Sequence, residues 1–123
     1  MKTNKILAIV KEPGKKARAH YIENTLEELQ GIVGDYLEAV TISEQAVILC
    51  DEEGKLKGLE PNFGIARGEN GNIVITDPEH GEDIIVGPAI IAGVHGDEFA
   101  DLDLWDFTEL LEQIYAVEKK VSR

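Results

Sequence analysis

Apolar positions along the chain follow two rhythms. Ile6 to Val10 and Ala46 to Cys50 are continuous apolar runs rich in β-formers, the pattern of strands covered on both faces. Leu26, Leu29, Ile32 and Val33, and later Phe107, Leu110, Leu111, Ile114 and Val117, recur at spacings of three and four, which predicts two amphipathic helices. Ile6–Val10 pairs as a hairpin with Ala17–Glu23 across Pro13-Gly14, and Tyr36–Ile42 pairs with Gln45–Asp51 around Ser43-Glu44. Asp83 to Val94 is apolar but broken at Gly87-Pro88, so it reads as two short strands or one bulged strand, because Pro88 has no N–H for a ladder.

The helix ends carry their own signals. Thr25 followed by Glu28 is a capping box, Gly34 is the expected left-handed stop, and the short helix spans about residues 25–33. The C-terminal helix, about residues 104–119, opens on Asp103 and Asp106 and closes on Lys119-Lys120, in keeping with the helix dipole. Glu52-Glu53-Gly54-Lys55 reads as a turn leading into Leu56 and Leu59. Residues from about 62 to 82 read as a Gly-rich loop or insertion holding one strand candidate, Asn72–Thr76. The expected fold is a single α+β domain over residues 1–123, with a mixed or mainly antiparallel sheet and two helices.

Charge narrows the partners. The chain has 24 acidic against 12 basic residues, a net charge of -12, which repels a phosphate backbone and excludes direct nucleic-acid binding as the expectation. One cysteine, Cys50, gives no disulfide framework and fits a reducing cytoplasm. The opening apolar run is too short for a signal peptide or a membrane span, so a cytoplasmic protein is expected.

Tests for local chemistry return little. Gly14-Lys15 has Ile9 and Lys16 where a phosphate-binding loop needs Gly and Ser or Thr. Asp101, Asp103 and Glu112 match places in a calcium loop, but Trp105 and Asp106 replace its fifth ligand and its glycine. Cys50 sits in an apolar strand beside Asp51-Glu52-Glu53, a setting that raises a thiol pKa and opposes nucleophilic use. His80, Asp83, His95 and Asp97 are the metal-ligand candidates should the fold join their two segments. No catalytic residue and no cofactor is assigned.

Three segments carry a family likeness: EPGKKARAHYIENTLEELQGIVGDYLEAVTI (residues 12–42), DEEGKLKGLEPN (residues 51–62) and DIIVGPAIIAG (residues 83–93). With the acid-capped helix that follows, they resemble the bacterial and phage family called domain of unknown function 3846. That resemblance implies an α+β domain in a phage, a mobile element or its host. It supplies no activity and no catalytic residues. The expected function is therefore a small acidic accessory protein that binds a protein partner without catalysis, although the residues do not decide the question of enzymatic activity. Glu27, Asp35, Glu38, Asp97, Glu98 and Asp101 are its candidate partner-binding residues. One alternative is an inhibitor of a host nucleic-acid enzyme whose acidic face imitates phosphates. Another is an enzyme or binder of a small ligand or divalent metal. Exposed edge strands would also permit homo-oligomers.

Overall fold

The apolar runs become the middle of a sheet. The computed structural model describes residues 4–121. In chain order it contains β1 (Lys5–Lys11), β2 (Arg18–Glu23), α1 (Leu26–Val33), β3 (Leu37–Ser43), β4 (Ala46–Asp51), the single-turn α2 (Gly54–Lys57), β5 (Pro61–Arg67), β6 (Ile73–Thr76), a 3-10 turn (Pro78–His80), β7 (Asp83–Val86), β8 (Ala89–His95), β9 (Glu98–Ala100) and α3 (Leu104–Val121). The larger sheet has the order β2-β1-β8-β4-β3, with β9 folding back on β8. The smaller one has the order β6-β5-β7. Every strand pairing among the described residues is antiparallel, so the chain is α+β with antiparallel sheets. Both expected hairpins form, β1 with β2 and β3 with β4.

The two-residue period of a strand divides each apolar run between two cores. Ala8, Val10, Val47, Leu49, Ile90 and Ala92 face α1, which contributes Leu29 and Val33. Ile9, Ile48, Cys50 and Ile91 face the other way, toward Phe63, Ile65, Ile75 and Ile85 of the small sheet and Leu110, Ile114 and Val117 of α3. The large sheet is thus covered on both sides, which is why β1, β4 and β8 have no polar rhythm.

Three expectations change, and one pair of alternatives is decided. The 62–82 segment holds β5, β6 and the 3-10 turn, and Phe63 is among the most buried residues. Its glycines had masked a strand: a Cβ on Gly64 would lie 2.5 Å from the Asp77 carbonyl oxygen, so the absence of a side chain lets the backbone before β7 rest on β5. Of the two readings of Asp83–Val94, the structure shows two short strands and not one bulged strand, and Gly87-Pro88 sends β7 and β8 to different sheets. Leu26, placed on the buried stripe of α1, is 63% exposed. As the first helical residue, its side chain tilts past the helix start. Gly34 ends α1 with φ 138° and ψ 167° rather than in the left-handed helical region, and a Cβ there would meet the Asp51 carboxylate at 2.6 Å. The stop is glycine for its positive φ and for this close approach.

Both expected N-caps form, and among the described residues the capping box at Thr25 is completed only on the Thr25 side. Thr25 Oγ1 accepts from the Glu28 N–H at 3.1 Å, and Asp103 Oδ1 accepts from the Asp106 N–H at 2.8 Å. The turn expected at Glu52–Lys55 tightens into α2. Asn62 joins the two sheets: its amide donates to the carbonyls of Lys11 and Gly87, both at 2.8 Å, inside the protein. Gln113 of α3 accepts from the Ile75 N–H at 2.8 Å and so satisfies a group of edge strand β6.

Candidate functional site

Where the small sheet stops short of covering the large one, a groove of about 440 Å³ remains, lined by Glu38, Cys50, Asp51, Lys55, Ile65 and Asp83 among others. Its charges are largely matched. Lys55 Nζ lies 2.6 Å from Asp83 Oδ1, and this bond holds the Asp83 carboxyl below its ordinary range and the Lys55 ammonium above its own. Asp51 accepts from Lys57 Nζ at 2.8 Å and from the Glu53 N–H at 2.9 Å, and the lysine is the larger cause of its lowered pKa. Burial, followed by the charge of Glu38 and a bond to it, pushes the Cys50 thiol up to about 12. Sγ is 3.9 Å from Glu38 Oε1. A thiol held protonated is a poor nucleophile and a poor metal ligand, so the expected structural role of Cys50 fits its surroundings.

The metal candidates separate. His80 Nδ1 contacts Asp77 Oδ1 at 2.7 Å, and with Glu79 these two residues form a group whose ligand atoms lie within 4.8 Å of one another. Asp83, His95 and Asp97 join no such group among the described residues. Asp77 is already engaged: it caps the 3-10 turn through the His80 N–H and accepts from Lys120 Nζ at 3.2 Å. Its bond to His80 is the largest cause of a pKa lowered to about 2. A cation here would have to displace Lys120, so the chemistry of the group is that of an ion-pair knot between the 3-10 turn and the end of α3.

The candidate partner-binding acids lie in three places. Glu27 lies in the first turn of α1 and Asp35 just after its end, and Glu38 enters the groove from β3. Glu98 and Asp101 line a second hollow of about 250 Å³ with His95 and Lys5, while Asp97 sits in the β8–β9 turn beside it. Asp101 also accepts from the Leu7 N–H at 2.6 Å and ties the chain after β9 to β1.

Sequence reasoning passed over the outward face of α3. Leu110, Ile114 and Val117 turn inward, and Leu104, Trp105 and Tyr115 are left 80%, 77% and 52% exposed. Glu109 and Glu112 lie between them, exposed and in no ion pair among the described residues. Asp106, at the edge of this face, is raised in pKa by burial and by Asp103. The signal was present in the helical period for Trp105 and Tyr115, which fall off the stripe formed by the other five, whereas Leu104 is on the stripe's edge and is exposed as the first helical residue.

Among the described residues no helix is long and apolar enough to cross a membrane. Compared with the curated proteins and with the solved structures, the chain matches none. A family model described as "Domain of unknown function (DUF3846)" matches residues 4–115, which takes in both sheets, α1, α2 and the first two-thirds of α3, and the chain belongs to that family.

Proposed function

We propose that this is a small acidic accessory protein of a phage, a mobile element or a bacterial host, and that it works by binding a protein partner without catalysis. The observation that carries this reading is the adjacent pair Leu104 and Trp105, exposed on the first turn of a helix whose Leu110, Ile114 and Val117 face the core. Trp is enriched where the binding energy of an interface concentrates. The protonated Cys50 and the ion-paired Asp51 and Asp83 support the non-catalytic half of the reading, because none of them is set up as a nucleophile or base.

Affinity capture with the tagged full chain, from a lysate of the cells that make it, tests this. A retained protein should disappear from eluates of Leu104→Ala/Trp105→Ala while the variant stays folded by circular dichroism. Retention of nothing beyond what an unrelated acidic protein retains would overturn the reading.

A further inference from the structure

The outward face of α3 has a chemistry more specific than exposure alone. Trp105, Glu109, Glu112 and Tyr115 follow one another at spacings of four, three and three, so they are neighbours along one side of the helix. At the rise of an α-helix this file is about 15 Å long. An exposed aromatic ring offers a negative π-face, and a carboxylate one turn away offers two acceptor oxygens. Together these are the two groups that hold a guanidinium, one by stacking and one by charge-assisted bonds. Here each end of the file is such a pair: Trp105 with Glu109, and Tyr115 with Glu112.

We propose that this face binds an arginine-rich segment of a protein partner, with Trp105 and Tyr115 stacking on guanidinium groups and Glu109 and Glu112 pairing with them. The proposal rests on the protein-binding reading above and adds the chemistry of the partner. Charge selects the occupant: the chain carries -12 overall, which draws a basic segment in and repels both a phosphate backbone and a second acidic copy. Among the described residues, neither carboxylate forms an ion pair with a lysine or arginine. Arginine is favoured over lysine because its planar group can stack and accept a bidentate carboxylate at once. Leu104, at the start of the file, would contact an apolar side chain of the same segment.

The protein contains its own probe, since Trp105 is its one tryptophan. Fluorescence of the full chain is titrated with an eight-residue peptide alternating Arg and Ala, and with its Lys and Asp counterparts. The Arg peptide should shift Trp105 emission saturably, the Lys peptide should bind more weakly, and the Asp peptide should have no effect. Tyr115→Ala should weaken binding by about two- to fivefold. Glu109→Gln/Glu112→Gln should weaken it more than Glu44→Gln/Glu69→Gln, which removes the same charge from exposed loops.

Equal losses from the two double variants would reduce the effect to general attraction and overturn the proposal. So would an unmoved emission spectrum, or a dimer that shields Trp105 without peptide. A partner captured equally well by the wild type and by Trp105→Ala/Tyr115→Ala would overturn this face while leaving the protein-binding reading in place.

Discussion

α1 and α3 are both amphipathic and both seated against a sheet, yet they are finished differently. α1 has eight residues, buries Leu29 and Val33, and leaves one large apolar residue, Leu26, outside. α3 has 18 residues, buries Leu110, Ile114 and Val117, and leaves Leu104, Trp105 and Tyr115 outside. An isolated helix as short as α1 is marginal, so its sequence must be spent on docking. α3 has length to spare, and Trp105 and Tyr115 lie off its buried stripe. The same contrast separates Ile48, which touches no solvent, from Trp105, which is mostly solvated.

If that contrast is sound, stability and binding should be lost at different residues. The largest stability effect is expected for Ile48→Ala, at about 2–5 kcal/mol in urea unfolding, because the site is closed on every side. A loss under about 1 kcal/mol would mean that the space between the sheets collapses easily. Asn62→Ala comes next, at about 1–3 kcal/mol, since it strands the buried carbonyls of Lys11 and Gly87. Little change in the urea midpoint would show that water replaces the amide.

Asp77 gives a smaller effect confined to acid. Its folded pKa, about 2, lies below the ordinary 3.8, so the stability it contributes is present above 3.8 and is lost as pH falls through 2. The melting temperature of Asp77→Asn should therefore fall less steeply than that of the wild type between those two values. Parallel acid limbs would show that the knot with His80 and Lys120 is not formed in solution. Smallest of all is Trp105→Ala, expected to move stability by no more than about 0.5 kcal/mol. A larger loss would make Trp105 a packing residue and erase the difference between the two helices.

Much of the scaffold was legible because it depends on neighbours in sequence. The caps at Thr25 and Asp103, the hairpin pairings and the two-faced run Ala46–Cys50 rest on local periodicity, and the structure shows each of them. Of the small sheet, β6 and β7 were legible as strand candidates and β5 was not, because Gly64 looks like a loop residue until the backbone it accommodates is in place. The candidate site was less legible still. Asp83 was taken as the carboxylate candidate to go with His80, and the structure puts Asp77 there, tied also to Lys120, 43 positions away. Glu98 and Asp101 were chosen as charges, and the fold then gave Asp101 to the backbone of Leu7.

By itself, then, the sequence determined most of the strands, the two longer helices and the core of their buried stripes, the acidic character and the likeness to a family, all of which are sums over adjacent residues. Tertiary structure alone decided that β7 and β8 part at Gly87-Pro88 into separate sheets, and that Lys55 and Lys57 occupy the carboxylates of the groove. It also decided that α3 meets the core with one side and solvent with an aromatic and acidic file on the other. Period and propensity tell a residue which way to face relative to its neighbours. What it faces is set by long-range burial and charge pairing, which no local window contains.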